Sequence, residues 1–188
     1  VTGSNPSQFQ KDPQNPVEQV SWDDVNDFLR RLEAILPGVK AALPTEAEWE
    51  YACRVGKKGA FSFCTSITSE LANYDGRQAY AGGATGEYRQ KTVPVMTFAP
   101  NPWGLYQVHG NVWEWCADGP RTYDGVPQAN PCGLEGDVPR ALRGGSWFDE
   151  PRRLRSAFRN RSGRGWRSSD VGFRFSLRST SPEGAAVL

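Results

Sequence analysis

The stretch Asn101-Pro102-Trp103-Gly104-Leu105-Tyr106-Gln107-Val108-His109-Gly110-Asn111-Val112-Trp113-Glu114-Trp115 decides the fold. Large rings are packed among glycines, with neither the ~3.6-residue period of a helix nor the alternation of a half-buried strand. An irregular segment that carries so many aromatic rings is itself core. Its backbone polar groups must then find partners inside the protein, from side chains or from a bound cation.

Outward from that stretch, the 188 residues have the length of one domain with short tails. The 22 basic residues against 21 acidic ones exclude a global attraction to nucleic acid or to an acidic membrane surface. The balance is uneven, because residues 140–178 hold eleven Arg against Asp149, Glu150 and Asp170, a local basic stripe. Gly and Pro are abundant, but seven Trp supply core-forming surface, so the chain reads as loop-rich and globular rather than disordered. No apolar run approaches the ~20 residues of a bilayer span. Val1-Thr2-Gly3-Ser4 has neither the charged nor the apolar region of a secretory signal, and the compartment stays open. Cys53, Cys64, Cys116 and Cys132 form no C-x-x-C pair, which argues against structural zinc. Cys53 and Cys116 read as small buried hydrophobes, and one disulfide among the four stays open.

Ser21 reads as the cap of a helix, with Asp23 and Asp24 in its first turn and Val25, Phe28, Leu29 and Leu32 on one face, ending near Leu36. Thr45-Glu46-Ala47-Glu48 is a capping box opening a second helix, with Trp49, Ala52 and Cys53 inward and Gly56 as its stop. Residues 57–86 have little periodicity, and 117–139 read as a long polar loop. Short strands are expected at Val93–Phe98, at Arg140–Arg143 running into the Gly144-Gly145 turn, and at Val171–Leu177. Both helices lie in the first third, so the class is α+β. A single domain spans 1–178, followed by a tail at 179–188.

Six ordered motifs then identify a resemblance. They are Pro16–Asp24 (PVEQVSWDD), Leu43–Tyr51 (LPTEAEWEY), Asn101–Tyr106 (NPWGLY), Gly110–Trp115 (GNVWEW), Arg143–Trp147 (RGGSW) and Gly172–Arg174 (GFR). Together they resemble the formylglycine-generating enzyme, or sulfatase-modifying factor, family over residues 4–178. The resemblance implies a C-type lectin-like fold, loop-rich, with two helices plus short antiparallel strands. It also implies residues upstream of Val1, as in a longer protein.

The resemblance implies as well what this chain lacks. Oxidase members bind copper with two cysteines shortly after the Gly-Gly-Ser-aromatic turn, since thiolates select a soft cuprous ion. Asp149 and Leu154 fall at those positions, and no cysteine follows Cys132. Copper oxidase chemistry is therefore not expected. A related branch uses iron held by histidines, and this chain has one histidine, His109. Between Val108 and Gly110, His109 reads as a hydrogen-bonded structural residue.

The motifs also resemble those of the variable proteins of diversity-generating retroelements, which display substitutable side chains on this scaffold. Carried over, the displayed positions are Phe148, Asp149, Glu150, Arg152, Arg153, Phe158, Ser162, Arg164, Trp166, Ser168 and Ser169. Aromatic anchors and arginines of this kind carry binding energy in recognition surfaces. The expected partner is a protein or other macromolecule; nucleic acid is not favoured, because acids interrupt the basic stripe. Arg155, Arg159 and Arg174 read as internal. The family's calcium sites map to Gln107, Gly110, Val112 and Glu114, and to Asn73, Tyr74 and Glu87. The alternative for Glu114 is a buried carboxylate paired with Arg. The overall expectation is a non-catalytic binding domain. Its rival is an oxidase, or an accessory domain of a larger modifying enzyme.

Overall fold

The computed structural model describes residues 1–123 and 125–180. Helix α1 (Trp22–Ile35) starts where Ser21 Oγ accepts from Asp24 N while the Asp24 carboxylate accepts from Ser21 N. Helix α2 (Glu46–Arg54) repeats the device with Thr45 and Glu48. It ends on Val55, whose φ of 50° is left-handed, one residue before the expected Gly56.

Two sheets accompany the helices among the described residues. In one, β1 (Val39–Ala42) pairs antiparallel with the last strand, β6 (Ser176–Ser179), with Val39 opposite Ser179. In the other the order is β4 (Asn160–Ser162), β3 (Arg140–Arg143), β2 (Trp113–Trp115), β5 (Val171–Gly172). The expected strand at Arg140–Arg143 is β3.

Four expectations need correction. The strands are not all antiparallel, because β5 runs parallel to β2. The strand expected over Val171–Leu177 is two, because the chain leaves β2 after Gly172, turns Arg174 inward, and joins β1 from Ser176. Val93–Phe98 is no strand: Asn111 Oδ1 accepts from Val93 N and Asn111 Nδ2 donates to Val93 O, and the chain turns at Pro94–Thr97. The tail expected over 179–188 overlaps β6 at Ser179, which pairs with Val39; residues 181–188 lie outside the described residues.

The signature stretch contains β2, which is too short to show a period. Trp113 and Trp115 enter the main core with Val20, Val25, Leu29, Leu142 and Val171. Glu114 meets Trp49 instead, and Trp49 belongs to a second cluster with Cys53, Val108 and Cys116. This alternation is what a pleated strand imposes. Indole N–H groups are satisfied within the core: Trp115 donates to Val20 O and Trp22 to Cys116 O, both at 3.0 Å. A third cluster, Phe61, Ile67, Ala72, Tyr74 and Leu154, packs beneath the glycine corner after β3.

Candidate functional site

Side-chain amides hold the signature loop, which is buried from Val108 onward, while residues 102–104, expected to be core, are exposed, Trp103 by 50%. Asn101 Oδ1 accepts from Trp103 N and Leu105 N, each at 3.0 Å, and its Nδ2 donates to Ala52 O of α2. Asn111, at φ 69°, accepts on Oδ1 from Asn73 Nδ2 and Val93 N. Its backbone bonds Asn73 O and Trp147 N, which ties the loop to the segment after the corner. Two glycines permit the close approach. A Cβ on Gly110 (φ 97°) would lie 2.4 Å from Asn73 O, and one on Gly145 (φ 74°) 2.8 Å from Leu154 Cδ1.

Asp149 and Leu154, the two positions at which the resemblance places a cysteine pair, are both buried. Asp149 is 7% exposed; its Oδ2 accepts from Ser146 Oγ at 2.6 Å and Ser146 N at 3.0 Å. Burial pushes its carboxyl above the usual carboxylate range, against the pull of the Ser146 hydrogen bond and Arg153. Leu154, in a 3-10 turn (Pro151–Leu154), is 0% exposed in the third core cluster. All four cysteines are free thiols, so no disulfide forms. Burial pushes the Cys53 thiol up to about 12, and raises Cys116 well above the thiol range. Cys64 and Cys132 are exposed. His109 is enclosed: its Nε2 accepts from Ser62 N at 3.0 Å, so Nδ1 carries the proton and donates to Leu154 O at 2.8 Å. Burial lowers its pKa to about 4, which keeps it neutral at pH 7.

Gln107, Gly110, Val112 and Glu114 line one cavity of about 310 Å³ beside Phe173 and Arg174. Gln107 Oε1 is buried there with no hydrogen-bond partner among the described residues, which suits a cation. Glu114 is the paired carboxylate that the sequence left as its alternative: Oε1 accepts from Arg174 Nη2 at 2.6 Å, and Oε2 from Arg174 Nε and from Trp49 Nε1 at 2.6 Å. A carboxylate has about four lone-pair positions, so little of it is left for a metal. In the second set, the Asp75–Tyr88 bridge brings Asn73 and Glu87 onto adjacent segments. Asn73 Oδ1 is buried without a partner among the described residues. Glu87, itself exposed, pairs with half-buried Arg89 at 3.0 Å, and the Tyr74 hydroxyl donates to Ile67 O, which leaves only its carbonyl for a cation.

The displayed positions divide. Phe148 (63% exposed), Trp166 (42%), Arg152 and Arg153 face solvent. Glu150, Ser162 and Arg164 are half-buried. Asp149 is corrected from displayed to buried, because the Ser146 turn consumes its carboxylate. Phe158 leans on Trp113 with Arg153 above its ring, Ser168 donates to Asp170, and Ser169 O accepts from Trp147 Nε1. These three are the foundation of the surface rather than its tips.

The basic stripe is largely neutralised by acids from distant segments. Arg143 and Arg159 pair with Glu46, Arg164 with Asp23, Arg167 with Asp24, Arg174 with Glu114 and Arg178 with Glu48. Arg152 and Arg153 use Glu150 and Asp149. Arg155, Arg159 and Arg174, expected to be internal, are all half-buried; Arg159 and Arg174 turn their guanidinium groups onto the buried Glu46 and Glu114. A groove along β4 that also contains Arg121 escaped the sequence reading, since its walls come from segments far apart in the chain.

A family profile described as the sulfatase-modifying factor enzyme 1-like domain matches residues 1–178. The formylglycine-generating enzyme of Streptomyces coelicolor is 33% identical over 185 residues, covering 93% of this chain and 56% of that protein. The chain thus spans little more than half the length of that relative. Among solved structures, Treponema denticola variable protein 1 superposes with a TM-score of 0.79 and 28% identity, covering 94% of this chain and 78% of that one. PvdO from Pseudomonas aeruginosa superposes with a TM-score of 0.76 and 32% identity, covering 91% and 64%. No helix among the described residues is long and apolar enough to cross a membrane.

Proposed function

The chain belongs to the sulfatase-modifying factor enzyme 1-like domain family, and from that premise we propose that it is a non-catalytic ligand-binding domain. Its architecture is the α+β, C-type lectin-like fold of the formylglycine-generating enzyme type. The observation that carries the proposal is the filling of the two thiol positions. Asp149 is spent on Ser146 and Leu154 on the core, so the soft ligands that select cuprous ion have no counterpart there. What remains outward is Phe148, Arg152, Arg153 and Trp166, residue types that anchor protein partners. The finer form is a retroelement variable protein, and the similarity to Treponema denticola variable protein 1 supports it. The partner is then a protein or other macromolecule.

The enzyme reading rests on 33% identity to a formylglycine-generating enzyme, and it needs metal ligands from outside this chain. A cysteine-containing peptide incubated with the protein and Cu(I) separates the two: no aldehyde product is expected, and turnover above the protein-free control would defeat the binding reading. The finer form predicts a near-copy of the DNA for residues 143–174 beside a reverse-transcriptase gene, differing mainly at adenines. Its absence from the native locus removes that form.

Calcium is the proposed resident ion. Gln107 Oε1 and Asn73 Oδ1, buried and unpartnered among the described residues, support it; the capture of Glu114 by Arg174 makes the first site weak. Bound calcium would supply positive charge to loop oxygens that otherwise lack donors. At tenfold excess over Kd it should add about 1.4 kcal/mol, a rise of about 3–6 °C in melting temperature, reversed by EDTA. An unchanged melting curve in 10-fold higher calcium than any Kd of interest, about 10 mM by the weak end of known sites, counts against it.

A further inference from the structure

A groove of about 520 Å³ runs along the edge strand β4, a volume in the range of small-molecule sites. Pro120, Leu134 and Ala141 line it with Arg121, Arg159 and Arg161. Its acid, Glu46, is already consumed. Oε1 accepts from Arg143 Nη1 at 2.9 Å and Arg159 Nε at 2.6 Å, and Oε2 accepts from Arg159 Nη2. The pairing continues through Arg143 to Glu50 and Arg54, so this chain holds three cations and two anions, a net +1. Asp118, nearby, is turned to Glu46 N and Gly133 N.

Arg121 and Arg161 add two further charges. Among the described residues neither has a carboxylate partner: Arg121 donates to Gln128 Oε1 at 3.0 Å, and Arg161 is exposed. The guanidinium groups of Arg121 and Arg159 lie 4.8 and 4.7 Å from the centre of the same Tyr123 ring. Two like charges are thus gathered on one aromatic ring, with one carboxylate between them and Arg143. An anion in the groove would relieve that repulsion. Arg159 Nη1 also donates to Arg121 O at 3.0 Å, which fixes the loop that carries Arg121 and Thr122 to β4. The outer edge of β4 is poorly suited to an added strand, because Asn160 Oδ1 already takes Arg161 N.

We propose that this groove binds a small organic carboxylate, its charge on Arg121 and Arg161 and its apolar body on Pro120, Leu134 and Ala141. None of these residues is among the displayed positions, so the proposal is independent of the recognition surface.

The test uses naphthalene-2-carboxylate as probe, with 2-naphthamide and inorganic phosphate as controls, followed by amide chemical shifts. Saturable shifts at Thr122 and Arg161 are expected, with the amide and phosphate each binding at least tenfold more weakly. Arg121→Glu and Arg161→Glu should each weaken the carboxylate about tenfold without moving the melting temperature, since both side chains stand clear of the core. Equal binding of the amide, equal binding of phosphate, an undiminished affinity in both variants, or shifts confined to other residues would each overturn the proposal. So would no saturable binding of the carboxylate at all.

Discussion

Glu114→Gln is expected to lower folding stability by about 3 kcal/mol, the lower end for breaking a buried ion pair. Glu114 lies on the β2 face opposite Trp113 and Trp115, and accepts from Trp49 and from two nitrogens of Arg174. Glutamine keeps the shape but removes the charge and turns an amide N–H₂ toward a guanidinium. The side chain of Arg174 retains 28% exposure, so water recovers part of the loss and the upper end of the range does not apply. The double variant Glu114→Gln with Arg174→Met should recover at least half of the stability, because no charge is then left unpaired. Urea unfolding of the two variants decides the matter. A loss under 1 kcal/mol for the single variant would mean that the pair is well solvated.

Acidification should cost nearly as much through His109. Its pKa in the folded protein is about 4, lowered chiefly by burial, against about 6.5 in the unfolded chain. Between those values the unfolded chain takes a proton that the folded chain refuses, so stability rises with pH and is lost as pH falls from 6.5 toward 4. The full shift corresponds to about 3 kcal/mol. Asp149 acts in the opposite direction, since a carboxyl raised by burial favours the folded state once protonated. His109→Gln removes the first contribution while keeping polar atoms near Ser62 and Leu154. Its stability measured at pH 7, 5.5 and 4.5 should fall less steeply than that of the parent, and equal slopes would assign the acid sensitivity to other groups.

Local signals were legible where the chemistry is local. The Ser21 cap, the Thr45–Glu48 capping box, the strand before the glycine corner and the burial of residues 108–115 follow from neighbours within a few residues, whereas residues 102–104, with Trp103 half exposed, lie outside the core. The motifs carried the fold because they fix the glycines at which backbone meets backbone. What escaped depends on distance in the chain. Trp113–Trp115 is a central strand only because β3 and β5 flank it, from about 30 and 60 residues later. Asp149 looks like a surface acid until Ser146 turns back to meet it. The arginine stripe looked like an electrostatic patch because its counter-charges, Asp23, Asp24, Glu46 and Glu114, lie in the first two thirds of the sequence.

That pattern of remote counter-charges has a consequence for how the molecule tolerates change. The segment from 163 to 170 is clipped to the start of α1 through Arg164 and Arg167, and β6 is clipped to α2 through Arg178. Trp147 and Trp115 hold it from beneath through Ser169 O and the Trp166 ring. Residues at the outward tips therefore contribute little to keeping their own backbone in place. Phe148 and Arg152 can therefore be replaced at little expected cost to folding, whereas Trp166, whose ring packs on Trp115, belongs to the clasp itself.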